Sequence, residues 1–165
     1  VDMLNARRAE LAMMYRRRLS EIEEIIPLSD PPYPMTHAWH LFIVRLDIDK
    51  AGLARDEFMK RLKQRNIGTG LHFRAVHLQK YYRETMGMRR GMLPNTEWNS
   101  DRICSLPLFP NMTSDDVDDV VNAVKDVLCE CRGRGRDVPQ QSRERVGCKS
   151  ARRNDGRTDI EGVGP

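Results

Sequence analysis

The segment 68–82, GTGLHFRAVHLQKYY, concentrates the chain's chemically capable side chains: two histidines, an arginine and three aromatic rings, opened by two glycines. Gly68 and Gly70 flank Thr69 and let the backbone approach another group closely or take positive φ, conformations that a Cβ disfavours. His72 and His77 bring imidazoles that are neutral near physiological pH, and Arg74 brings a planar fork of donors suited to carboxylate or phosphate. Phe73, Tyr81 and Tyr82 bring flat rings, two of them with a polar tip. Together they suit an anionic ligand that carries a ring. A plainer reading fits the same residues: Leu71, Phe73 and Val76 turned inward at a strand end, with His72 and Arg74 solvated on the other side.

Length and charge narrow what such a cluster serves. With 165 residues the chain fits one domain with a real core. The net charge of +4 suggests nucleic acid until it is divided by position. After Glu130 stand nine basic residues and five acids, which account for the whole excess, and residues 1–130 are neutral. Cys104, Cys129, Cys131 and Cys148 have no CxxC spacing, so neither zinc nor a disulfide framework is expected. No apolar run reaches the ~20 residues that span a bilayer, and no signal-peptide core is evident. A reduced, cytoplasmic protein with no membrane or nucleic-acid partner is the expectation. Val1 opens in mid-helix pattern instead of at a start methionine, which suggests a piece of something longer.

The elements that would position the cluster follow from periodicity. Leu4, Leu11, Met14, Tyr15, Leu19, Ile22 and Ile26 predict one amphipathic helix over 1–26, with Arg16, Arg17 and Arg18 pairing with Glu21, Glu23 and Glu24 on its wet face. Pro27, Pro31, Pro32 and Pro34 make an extended connector. Residues 37–47 (HAWHLFIVRLD) predict a strand, with His40, Phe42, Val44 and Leu46 on its apolar face and His40 a hydrogen-bonded core histidine. A helix over 55–65 would bury Phe58 and Leu62 and end at Asn66. A second strand over 67–73 would carry the cluster at its exit, with a short helix over 77–84, a loop over 85–95 and a helical turn over 97–103. Residues 104–109 predict a short strand that Pro107 confines to an edge or bulge. Thr113 caps a last helix with Asp115 and Asp116 in its first turn and Val117, Val120, Val121, Val124, Val127 and Leu128 as its apolar stripe. Helices and few strands in this order predict an α+β sandwich.

From Cys131 to Pro165 large apolar residues thin to four and six of the eleven glycines appear, a composition expected to be a disordered basic tail. Its arginines would touch RNA phosphates weakly, but aromatics for base stacking are absent.

Three strings, THAWHLFIVRLD, IGTGLHFRAVHLQKYY and LPNTEWNSDRICSLPLFPNMT, resemble the C-terminal part of the DegT/DnrJ/EryC1/StrS sugar aminotransferases, over nearly all of Val1 to about Leu128. The resemblance implies the small C-terminal domain of the aspartate-aminotransferase architecture (fold type I) over 1–130, with 131–165 as tail. It implies a homodimer that uses pyridoxal 5′-phosphate to move an amino group from glutamate, leaving 2-oxoglutarate, to C4 of a UDP-linked keto sugar. The lysine and acid that hold the cofactor lie in the family's large N-terminal domain. None of Lys50, Lys60, Lys63, Lys80, Lys125 and Lys149 stands in a similar motif, so no catalytic residue is assigned and the chain alone is expected to be inactive. By resemblance His72 would meet a sugar hydroxyl, Phe73 a ring face and Arg74 a carboxylate or diphosphate. His77, Tyr81 and Tyr82 join that substrate-binding set, although packing would explain them equally well.

Overall fold

The computed structural model describes residues 1–135. These run α1 (Asp2–Leu19), β1 (Ile25–Pro27), β2 (Phe42–Leu46), α2 (Ile48–Ala51), α3 (Arg55–Gln64), a 3-10 turn (Val76–Leu78), α4 (Lys80–Met86), α5 (Pro94–Arg102), β3 (Ile103–Leu106) and α6 (Ser114–Gly135). The α+β class with a few-stranded sheet is the observed one. Residues 136–165, most of the expected tail, lie outside the described residues, and α6 carries helix past Cys131 to Gly135. No helix among the described residues is long and apolar enough to cross a membrane.

The sheet is antiparallel throughout, in the order β1-β2-β3. Alternation along β2 sends Phe42, Val44 and Leu46 to one face, where Ile25, Cys104 and Leu106 join them across the ladders. That face meets Leu11, Tyr15 and Leu19 of α1, Phe58 and Leu62 of α3, and the valine and leucine stripe of α6, all buried. Tyr15 stacks on Phe42 with ring centroids 4.7 Å apart and donates its hydroxyl to the Pro107 carbonyl at 3.0 Å. Burial pushes the Cys104 thiol up to about 12. The opposite face of the sheet carries Ile43, Arg45 and Ser105 and is turned toward α5 and the cluster.

Two helix ends form as their sequences predict. Thr113 and Asp116 make a reciprocal capping box: the Asp116 carboxylate accepts from the Thr113 N–H at 2.7 Å, and the Thr113 Oγ1 accepts from the Asp116 N–H at 3.2 Å. At the far end of α3, Asn66 takes φ 62°, its N–H meeting the Lys63 carbonyl while Ile67 N–H reaches back to Leu62, both at 3.0 Å.

Other expectations are corrected. The first helix stops at Leu19, and Ile25–Pro27 is a strand. Cationic Arg16, Arg17 and Arg18 suit the negative end of the helix dipole, whereas Glu21, Glu23 and Glu24 beyond them would oppose it. Those charges also pair elsewhere: Arg16 with Asp30, Arg18 with Asp118, Glu23 with Lys50 and buried Glu24 with Arg132. The strand expected over 37–47 begins only at Phe42, and His40 is exposed, not in the core. Before it, 28–41 is an arm without regular structure. Arg16 ties down this arm through Asp30 and the Leu28 carbonyl, and its guanidinium carbon lies 5.4 Å from the centre of the Trp39 ring. Trp39 takes φ 46°, rare for a bulky residue, with its N–H donated to His37 Nδ1 at 2.8 Å. Residues 67–73 are not a strand either. Only Gly70 bridges to Ser105, since two glycines weaken pairing and the chain then turns away. The helix expected over 77–84 is split at Gln79, which is extended, into the 3-10 turn and α4; α4 runs on to Met86, and α5 already begins at Pro94. β3 ends before Pro107 and lies at the sheet edge, as that proline requires.

Phe58 is fully buried and Phe73 is 80% exposed. Phe58→Ala is therefore expected to lower unfolding free energy by about 3–5 kcal/mol, and Phe73→Ala to change it by no more than about 0.5 kcal/mol. Urea unfolding of the two variants checks this.

Candidate functional site

The cluster is built on one close approach. Gly70 and Ser105 exchange two backbone hydrogen bonds, at 3.0 and 2.9 Å, which hold the incoming chain against β3. His72 then folds back over Gly70, its Nε2 2.5 Å from Ser105 Oγ. A Cβ on Gly70 would stand 2.7 Å from both of those atoms, so any larger residue would push the His72 ring or the Ser105 hydroxyl aside. Beyond it the chain leaves the sheet. Phe73 and Arg74 point to solvent, and the Ala75 N–H is caught by Ser100 Oγ of α5 at 2.8 Å.

His72, Phe73 and Arg74 thereby line one groove. Its other walls are Arg55 and Asp56 of α3, Lys80 of α4, Ser100 and Asp101 of α5, and Arg90 of the loop between α4 and α5. Arg55, buried, donates to Asp56 at 2.6 Å and to the carbonyls of Ser100 and Ile103 at 3.0 Å, so it ties α3 to α5. Arg90 and Asp101 pair at 2.8 and 3.2 Å; the guanidinium holds the Asp101 carboxyl below the usual carboxylate range. Both acids of the groove are thus engaged. Among the described residues no carboxylate lies within salt-bridge distance of Arg74 or Lys80, and these two cations remain for a ligand. Such a surface can take up an anion and offer it a ring face.

The remaining expected residues are not brought into it. His77 is buried beneath the groove, its Nε2 2.9 Å from the Glu97 carboxylate and its Nδ1 without a partner among the described residues. Tyr81 is 62% exposed on α4 and packs edge-on against Tyr82, with centroids 5.4 Å apart, outside the groove lining. Arg55, Arg90, Ser100 and Asp101 were not read as site residues from sequence. Arg55 left one clue: a cation at the first position of a helix opposes the dipole and needs acceptors elsewhere.

Lys80 is the lysine of the groove. It is exposed at the start of α4, and the carboxylates near it are already bound to arginines. A pyridoxal phosphate site needs a Schiff-base lysine, a free acid for the pyridine nitrogen and a phosphate cradle. In the groove neither acid is free beside Lys80, since Asp56 pairs with Arg55 and Asp101 with Arg90.

A family model described as the DegT/DnrJ/EryC1/StrS aminotransferase family matches residues 1–125. Among solved structures, DesV of S. venezuelae, in complex with a ketimine intermediate, shares 31% identity at a TM-score of 0.64, over 77% of this chain and 32% of that one. The aminotransferase TlmJ of Streptoalloteichus hindustanus shares 27% at 0.63, over 78% and 33%. DesI, solved in the presence of its TDP-sugar product, shares 26% at 0.68, over 80% and 32%. The chain spans about a third of the length of these structures.

The Glu97 carboxyl is held below its ordinary range by the Gly91 N–H first and by His77 next. A carboxylate with a depressed folded pKa adds stability that is present above its unfolded value, about 4.5, and is lost as pH falls through the folded one. Glu97→Gln should therefore destabilise the chain at pH 7, and its unfolding midpoint should approach that of the wild type as the solution is acidified below pH 4.5. Midpoints measured across that range check it.

Proposed function

Because the chain belongs to the DegT/DnrJ/EryC1/StrS aminotransferase family, we propose that it is the small-domain part of the enzyme that makes UDP-4-amino-4-deoxy-L-arabinose. In this reading an amino group passes from glutamate to C4 of a UDP-linked 4-keto-pentose. The enzyme works as a cytoplasmic homodimer, and its product serves lipid A modification and polymyxin resistance. The three strings quoted above support that choice of sugar. Aminotransferases of this family depend on pyridoxal phosphate, which supplies an electron sink when bound. Residues outside this chain would hold it, and 1–130 alone would not turn over.

One observation carries the reading: Arg74 and Lys80 stand uncompensated beside the exposed Phe73 ring and His72. Arg74 would bind a substrate carboxylate or the diphosphate by charge-assisted hydrogen bonds, and Lys80 would add a mobile point charge. Phe73 would cover an apolar ring face. His72 would donate to or accept from a sugar hydroxyl while Ser105 fixes its ring. His77 and Tyr81 would serve that binding only by supporting the segment.

The test joins this chain to the sequence encoded upstream of Val1 and assays glutamate-dependent amination of the UDP-keto-pentose. Arg74→Ala in that protein should raise KM about ten- to a hundredfold, the equivalent of losing charge-assisted bonds of roughly 1.5–3 kcal/mol. Turnover by residues 1–165 alone with added cofactor would overturn the division of labour. Binding of UDP-sugar without any amination by the joined protein would favour a stand-alone binding module or a degenerate remnant.

A further inference from the structure

Beneath the groove, two of its walls meet at a single buried carboxylate. Glu97 Oε1 accepts from His77 Nε2 at 2.9 Å, from Gly91 N–H at 2.8 Å and from Leu93 N–H at 3.3 Å, and Oε2 shares the Gly91 N–H at 2.9 Å. His77 belongs to the segment that carries His72, Phe73 and Arg74; Gly91 and Leu93 belong to the loop that carries Arg90. The helix between them, α4, has no buried side chain. Gly91 reaches the carboxylate at φ +94°, a conformation that a residue with a Cβ rarely adopts. With Asp101 one turn further along α5, Glu97 brackets the Arg90 guanidinium: Nη1 lies 2.8 Å from Asp101 Oδ2 and 3.8 Å from Glu97 Oε2. His77 completes the joint in the tautomer that donates from Nε2, which leaves its buried Nδ1 bare.

We propose that Glu97 is a positioning residue: it fixes the 87–93 loop on the His77 turn and so sets where Arg90 stands when an anion enters the groove beside Arg74. The inference rests on the reading of the groove as a ligand site. Arg90 pairs with Asp101 at the surface, where its exposed guanidinium can also meet a ligand oxygen, whereas Glu97 is buried and meets His77, the Gly91 and Leu93 N–H groups and, at 3.8 Å, Arg90. It therefore acts through Arg90 and not on the ligand.

The experiment titrates inorganic pyrophosphate into the 165-residue chain and follows the Arg74 and Arg90 Nε–H resonances by NMR. The wild type should show saturable shifts at both. Glu97→Gln keeps the shape but weakens the acceptor, and Gly91→Ala strains the joint from the loop side, where its new Cβ meets nothing within 4 Å. In each variant the Arg90 shift should fall severalfold while Arg74 still responds, with affinity reduced by about a factor of ten for one misplaced charge-assisted contact. Circular dichroism confirms the fold, and Gly91→Ala decides if Glu97→Gln fails to fold. Unchanged Arg90 shifts and affinity in a folded variant overturn the positioning role and leave the groove standing. No saturable shift in the wild type overturns the groove reading and this inference with it.

Discussion

Every second residue of β3 answers to a different demand, and the site depends on that alternation. Cys104 and Leu106 close the core against Val44 and Phe42, while Ser105 between them faces the other way. Its backbone holds Gly70 and its hydroxyl holds His72. A slip of one residue along β2 would exchange the two faces, turning the core pair toward α5 and the serine hydroxyl into the apolar core. The position of the groove is thus set by the same packing that stabilises the sheet, with no separate framework.

The arginines show how a neutral body supports a positive groove. Arg55 and Arg45 are placed by backbone carbonyls, Arg55 on Ser100 and Ile103 and Arg45 on Pro27, so their role is to join elements. Trp98 meets both the Arg45 and Arg102 guanidiniums, with their central carbons 5.5 and 4.6 Å from its ring centre. Arg90 is matched by Asp101. Within the groove lining, Arg74 and Lys80 differ from Arg55 and Arg90 because no acid of that lining pairs with them. Uncompensated charge in a concave surface attracts a counter-ion.

Local rules made much of the fold legible. The Thr113 cap, the αL Asn66 and the buried alternation of Phe42, Val44 and Leu46 each depend on residues within a few positions of one another. The failures share a cause as well. The end of α1 is marked by a reversal of charge sign, which periodicity does not register, and β1 is too short to show a pattern. His40 lies on the apolar side of an alternation that starts only two residues later. At the site, His72, Phe73 and Arg74 were readable because they are contiguous, whereas Arg55, Arg90 and Asp101 converge from three separate elements. His77 has the chemistry of a ligand but is taken by Glu97, a partner twenty residues away.

The first helix packs against the last, and Arg7 of α1 donates to the Met112 carbonyl 105 residues further on. A ribosome delivering this chain therefore releases α1 before the helix that packs on it exists, and β2, already able to pair with β1, waits for β3 on its other edge. Contacts of such long sequence separation close late, after their loop entropy has been met. During synthesis the early helix has a long interval in which chaperones or other nascent chains can reach it, and α6 is the element whose arrival ends that interval.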